Sequence, residues 1–273
     1  MIPLKTLSVT ELLAFLAPRR SSSGHKYQFG RLQLIAGSAQ YPGSAALCAL
    51  GAFKAGCGMI MLETEAPFEV IKDLPELIPG FSQENDAYVM GPGLGAAQLP
   101  QIQSYLDRIP PDKPLLLDGG ALAVFPPGGR SLQSVVLTPH DGEFRRLLSG
   151  ALAPASWRGQ RLEALRSFVG EFPDVTILLK GSPCLIYAQG NFWSMALGTV
   201  AMATAGQGDL LAGVIGAYLA LGLSPEHAVV LGSSLCALAA AQLAEGGEPQ
   251  GVLAHEVASQ LPKTLAQLRE RVR

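Results

Sequence analysis

Six short segments of this chain are apolar at nearly every position, and helical spacing fills most of the gaps between them. They are Arg31–Ala36, Gly58–Glu63, Ala87–Met90, Leu115–Asp118, Val135–Thr138 and Val175–Leu179. A strand that does not alternate is buried on both faces, and crossover helices are what cover both faces of a parallel sheet. The helical stretches are Ser44–Ala55, Leu99–Arg108, Gly142–Leu148, Arg158–Glu171, Asp209–Leu221 and Glu226–Ala244. Cys184–Tyr187 and Asn191–Met195, split by Ala188-Gln189-Gly190, read as a closing hairpin. This order predicts a three-layer α/β/α fold around a mostly parallel sheet. No repeat or composition shift marks a boundary, so a single domain over 1–273 is expected. Ser8 and Glu11 form a possible capping box, and 1–24 is read as an N-terminal helix and linker.

Composition removes several classes of function. Of 273 residues, 48% are hydrophobic and 15% charged, against about 25% charged in ordinary domains, so the chain is not disordered. A net charge of −2 without a basic run argues against nucleic acid as a partner. Ala228–Ala244 is the most apolar stretch, but Gly232, Ser233, Ser234 and Gln242 lie in it, so a core helix is expected and no membrane partner. Cys48, Cys57, Cys184 and Cys236 show neither zinc-ligand spacing nor a disulfide framework. No signal peptide is visible in Met1–Thr10, which leaves a cytoplasmic location as the expectation.

In open α/β sheets ligands bind outside the carboxyl ends of the strands. Five strand ends here carry glycine or polar residues: Gly37-Ser38, Gly91-Pro92-Gly93-Leu94-Gly95, Asp118-Gly119-Gly120, Thr138-Pro139-His140-Asp141-Gly142-Glu143 and Lys180-Gly181-Ser182. Tyr41-Pro42-Gly43-Ser44-Ala45 opens a helix beyond the first of them. The strongest local signal is Ala205-Gly206-Gln207-Gly208-Asp209 ahead of an apolar helix. Glycines there let backbone N–H groups approach an anion at a helix N-terminus. Asp209 is placed to take a proton from a hydroxyl, or else simply to cap the helix. No Walker motif occurs, and the glycine run at 91–95 follows the third strand, where a dinucleotide fingerprint would follow the first. His140 is delivered to the strand rim by Thr138-Pro139, whereas His25, His227 and His255 carry no comparable signal.

These motifs occur in the order of one family. His25-Lys26, Gly30-Arg31, Ala36-Gly37-Ser38, Gly43-Ser44-Ala45, Lys54-Ala55-Gly56-Cys57-Gly58 and Pro75-Glu76 come first. Gly91-Pro92-Gly93-Leu94-Gly95, Leu137-Thr138-Pro139-His140 with Glu143, Leu179-Lys180-Gly181 and Gly206-Gln207-Gly208-Asp209 follow. The chain resembles the ADP/ATP-dependent NAD(P)H-hydrate dehydratases of ribokinase-like fold. The resemblance implies a hydro-lyase that repairs NADHX and NADPHX to NADH and NADPH, with ADP or ATP as co-substrate, Mg2+, and release of AMP and phosphate when ADP is used. It implies Asp209 as catalytic base, and Ser44, Ala45, Gly93, Gly95, His140 and Asp209 as the hydrate site. The nucleotide would be held by Lys180, Gly181, Ser182, Pro183, Cys184, Gly206, Gln207 and Gly208. No protein side chain is assigned to metal, and the family implies a homo-oligomer, a tetramer.

Three positions depart from the family pattern. Ser44 stands where Ala is usual, Asp118-Gly119-Gly120 lacks the second acid of Asp-Ala-Asp, and Gln207 replaces Ser, Thr or Met. No segment corresponds to the epimerase domain fused to many relatives. Two alternatives remain open: a small-molecule kinase of the same fold, such as a hydroxyethylthiazole kinase, and a non-catalytic nucleotide-binding scaffold. The missing acid at Gly120 favours the scaffold, and the retained Asp209 opposes it.

Overall fold

Alternate side chains of the central strands enter two different cores, which is why those strands are apolar throughout. In a computed structural model, which describes residues 3–148, 160–195, 197–245 and 250–271, Leu116 faces one core while Leu115 and Leu117 face the other. Val136 and Leu178 oppose Val135, Leu137, Ile177 and Leu179 in the same way. Each face therefore needs its own layer of helices.

The described strands are β1 (Leu4–Leu7), β2 (Arg31–Ile35), β3 (Met59–Glu63), β4 (Ile78–Pro79), β5 (Ala87–Met90), β6 (Leu115–Leu117), β7 (Val135–Leu137), β8 (Thr176–Leu179), β9 (Cys184–Ala188) and β10 (Asn191–Met195). They form one sheet in the order β1-β10-β9-β8-β7-β6-β5-β2-β3-β4. From β8 to β4 all neighbours are parallel. β9 is antiparallel to both of its neighbours, and β1 adds parallel to β10.

The described helices are α1 (Val9–Leu12), α2 (Pro42–Ala55), α3 (Pro67–Ile71), α4 (Leu99–Leu106), α5 (Asp141–Leu147), α6 (Arg161–Glu171), α7 (Gln207–Ala220), α8 (Pro225–Ala244) and α9 (Ala254–Glu270). α2, α7, α8 and α9 cover one face, and α4, α5 and α6 the other. The α/β/α expectation holds, with the eight expected strands shifted by at most one residue at either end. Ser8 caps α1 as expected, accepting from Glu11 N at 3.2 Å while Glu11 Oε2 accepts from Ser8 N at 2.8 Å. Arg158 and Gly159 of the expected fourth helix lie outside the described residues. α8 is long and apolar enough to cross a membrane, yet 67% of its apolar window is buried in the fold.

Four elements carried no sequence signal, one of them the five-residue α3. β1 exposes three of its four residues and anchors through Leu7. β4 is only two residues long, and α9 has Pro262 in its interior, which breaks a helical pattern when read along the chain.

One packing contact sets the geometry of the rest. A Cβ on Gly51 of α2 would lie 2.5 Å from the Leu210 carbonyl of α7, and one on Gly213 would overlap the Cys48 carbonyl. α2 and α7 therefore meet backbone to backbone and run in the same direction, so their N-termini lie side by side. Gly213→Ala should destabilise the fold by at least about 1–3 kcal/mol, the usual cost of overpacking. Gly170→Ala in α6, where added Cβ meets nothing within 4 Å, should instead stabilise by about 0.5–1 kcal/mol. Denaturant titration of both variants checks the contrast, and equal effects would sink the packing argument.

Candidate active site

Because β2, β5, β6, β7 and β8 are parallel, the segments leaving them gather on one rim, and hydrogen bonds tie them together. Gly37 N donates to Pro92 O at 2.8 Å, and Ser38 Oγ to Gly93 O at 2.8 Å. Gly120 N donates to Leu94 O at 3.1 Å, Thr138 Oγ1 to Asp118 Oδ1 at 2.8 Å, and Lys180 N to Pro139 O at 2.8 Å. All five strand ends singled out in the sequence are thus in mutual contact.

The departure at Asp118-Gly119-Gly120 has a steric cause. A Cβ on Gly119 (φ +51°) would sit 2.8 Å from Gly91 O, and one on Gly120 would overlap the Leu94 carbonyl. The loop after β6 packs its bare backbone on the loop after β5, and no acidic side chain fits at the second position. The first acid is retained in full use. Asp118, 3% exposed, accepts from the Lys180 ammonium at 2.7 Å.

Three carboxylates share that one ammonium. Glu143 Oε2 lies 3.9 Å from Lys180 Nζ, and Asp209 also feels its charge. Burial pushes the Lys180 pKa down, but Asp118 and Glu143 outweigh it and hold the ammonium above its ordinary value. Asp209 goes the other way. Burial first, and then the neighbouring Asp118 charge, raise its pKa from 3.8 to about 6, against the lowering effect of the Ser44 hydroxyl bonded to it and of Lys180.

Asp209 is not the helix cap. The N-cap of α7 is Gly206, in the left-handed region at φ +87°, and no side chain caps there. Gly208 leaves the cradle open on the Lys180 side, since a Cβ on it would lie 3.3 Å from Lys180 Nζ. Gln207, the third departure from the family pattern, does not turn its side chain to the rim. Its side chain is buried, with Nε2 donating to Thr204 Oγ1 at 3.2 Å and Oε1 lacking a partner.

Of the other expected positions, Gly93 packs against Ser44, with its missing Cβ 2.6 Å from the Ser44 Cβ. Gly95 N donates to Gln98 Oε1 at 3.0 Å on the same loop. Ala45 is fully buried against Gly37, so its side chain lies behind the rim. His140 is the N-cap of α5, with Nδ1 accepting from Gly142 N at 2.9 Å and Glu143 N at 3.3 Å. Lys180, Gly181, Ser182, Pro183 and Cys184 form the turn from β8 into β9, with Gly181 at φ +138°. His25 lies at the opposite end of the sheet, ahead of the amino end of β2. Sequence reasoning did not put Glu143 or Asp118 in the site, although the Leu-Thr-Pro-His motif pointed to Glu143. Arg161 of α6, which donates to the carbonyls of the 179–183 turn, carried no sequence signal at all.

Among the described residues no group of three or more His, Cys, Asp or Glu is arranged to hold a metal ion. Asp118 is already engaged by Lys180 and Thr138. These side chains therefore do not build a cage for the Mg2+ expected with a nucleotide.

A doubly covered parallel sheet with an acid set among glycines at a helix N-terminus defines an α/β enzyme of ribokinase-like architecture. The chain shares that fold with a hydroxyethylthiazole kinase from Pyrococcus horikoshii at a TM-score of 0.54 and 16% identity, over 93% of this chain and 92% of the other. It superposes with a TM-score of 0.87 and 28% identity on the ADP/ATP-dependent NAD(P)H-hydrate dehydratase of Bacillus subtilis co-crystallised with ATP/Mg2+, covering 98% of this chain and 100% of that one. An ADP-dependent (S)-NAD(P)H-hydrate dehydratase of Neisseria meningitidis serogroup B is 32% identical over 258 residues, 88% of this chain and 86% of the relative. The model of the NAD(P)H-hydrate dehydratase family matches residues 32–263. The chain belongs to that family.

The raised pKa of Asp209 makes a signed prediction. Below about pH 4 the carboxyl is protonated whether the chain is folded or not, and it costs nothing. As pH rises through about 6 the folded state must carry a partly buried charge that the unfolded state carries freely, so stability is lost. Asp209→Asn should therefore raise the thermal midpoint at pH 7, with the gain fading as pH falls towards 4. A variant less stable than the parent at pH 7 would return Asp209 to a structural role.

Proposed function

We propose that the chain is an ADP-dependent (S)-NAD(P)H-hydrate dehydratase, which converts NADHX and NADPHX to NADH and NADPH with release of AMP and phosphate. The observation that carries this reading is Asp209: a partly buried carboxylate, its pKa raised to about 6, beside a glycine cradle that faces an ammonium. Hydroxide is a poor leaving group and phosphate a good one. Asp209 takes the proton of the ring hydroxyl, the oxygen attacks the terminal phosphoryl group of the nucleotide, and AMP leaves. The C–O bond of the phosphoester then breaks, phosphate departs, and loss of a proton from the adjacent ring carbon restores the double bond. Backbone N–H groups of Gly206, Gln207 and Gly208 and the Lys180 ammonium stabilise the transferring phosphoryl group, a task that rests on fixed dipoles and charges.

The hydrate would lie over Ser44, Ala45, Gly93, Gly95 and His140, with Ala45 contributing backbone only. The adenine nucleotide would use the turn from Lys180 to Cys184. All described strands share one sheet, which supports reading 1–273 as a single domain. A cytoplasmic location is also proposed, and a tetrameric assembly is proposed from the family resemblance alone. ADP is preferred as donor because the Neisseria relative is named for it.

Hydrated NADH offered with ADP, with ATP and with no nucleotide tests the proposal. Dihydronicotinamide absorbance should recover only when nucleotide is present. A small-molecule kinase of this fold would instead consume nucleotide on another alcohol, with no recovery. Asp209→Asn should still bind ADP and lose about 10²–10⁴ in turnover, the range for a positioned proton acceptor. Near-parental turnover in that variant would falsify the assignment of the base.

A further inference from the structure

Arg161, at the first turn of α6, is mostly buried, its side chain only 13% exposed. Its Nε donates to Asp141 Oδ1 at 2.8 Å. Its Nη2 donates to Lys180 O at 2.8 Å and Leu179 O at 3.3 Å, and its Nη1 donates to Pro183 O. A Cβ on Gly181 would lie 2.6 Å from Nη2, so only a residue without a side chain lets the guanidinium reach the inside of this turn. Asp141 directly follows His140, the cap of α5 on the same rim. One side chain therefore joins α6, the segment after β7 and the turn after β8.

We propose that Arg161 is a positioning residue for the nucleotide: it fixes the backbone of the Leu179–Pro183 turn, while Asp118 separately holds the Lys180 ammonium. This rests on the functional reading above, in which that turn holds the adenine nucleotide. Lys180 is fastened twice, by Asp118 at its ammonium and by Arg161 at its carbonyl. The planar guanidinium, with five donors in a fixed fork, satisfies three carbonyls and a carboxylate at once, which an ammonium on a flexible stem does not. Without it the turn keeps its charge but not its shape. The three nitrogens of Arg161 are all engaged by these four acceptors, so its loss acts on nucleotide affinity and leaves proton transfer at Asp209 alone.

The test measures ADP affinity by calorimetry, kcat at saturating ADP, the acid limb of the pH profile and the thermal midpoint for the parent, Arg161→Gln and Arg161→Lys. For both variants the ADP dissociation constant should rise about tenfold or more while kcat stays within about threefold, the pattern of lost uniform binding. The acid limb should stay near pH 6, where Asp209 titrates. A lower midpoint with parental ADP affinity would make Arg161 a stability residue and overturn the proposal. So would full recovery of affinity in Arg161→Lys, because charge alone would then suffice. Should Arg161→Gln fail to fold, Asp141→Ala removes the anchor at the other end, and its ADP affinity must fall in the same direction or the proposal is lost. A parent that does not bind ADP at all overturns the functional reading itself, which is a different outcome from a parent that binds and a variant that binds equally well.

Discussion

Everything at the rim depends on two helices touching without side chains between them. Gly51 and Gly213 let α2 and α7 approach until carbonyls occupy the space of a Cβ. Larger residues there would move the helices apart, and the hydrogen bond between Ser44 and Asp209, one from each N-terminus, would be lost with the spacing. Close approaches of this kind account for several of the 31 glycines of the chain. Gly91, Gly119 and Gly120 do for the loops after β5 and β6 what Gly51 and Gly213 do for the helices.

That closeness has an electrostatic consequence. A carboxylate in the first turn of a helix is ordinarily favoured as the anion, because the helix dipole and free N–H groups stabilise negative charge there. Asp209 sits in such a turn, yet its proton is held more tightly than in water. Desolvation by the packed helices and the neighbouring Asp118 charge overcome the dipole. Asp118 accepts from both Lys180 and Thr138. The single ammonium is thus placed on the acid that does not need to react, and the acid that does is left with a hydroxyl.

How much of this could be read from the chain depends on where each signal lies. The doubly buried strands announce themselves because burial on both faces leaves few polar positions in them, Gln33 of β2 and Thr176 of β8 being buried exceptions. Glycine runs at five strand ends mark the rim for the same local reason. Asp209, Lys180 and His140 were legible because short motifs surround them. Arg161 was not, since its partners are backbone carbonyls far along the chain and any residue supplies a carbonyl. Edge strand β1 was hidden because ladder bonds, and hardly any side chains, hold it. Ala45 and Gln207 show a further limit, since a motif tells which residues are near a ligand but not which of their atoms face it.

The loop after β6 gives the sharpest instance. Read as a pattern, Asp118-Gly119-Gly120 is short of one acid, and that shortage was the only feature in favour of a chain that binds nucleotide without acting on it. Read in space, the position of the missing acid lies against the Leu94 carbonyl, where no side chain of any kind can stand. An acid there would require the 91–95 loop to retreat, and with it Gly93, which packs on Ser44 beside the reacting carboxylate. The substitution and the close-packed loops are therefore one arrangement. It preserves the acid that holds Lys180, keeps the cradle narrow around Asp209, and removes a carboxylate that would have added a further negative charge to a pocket where three already share one ammonium.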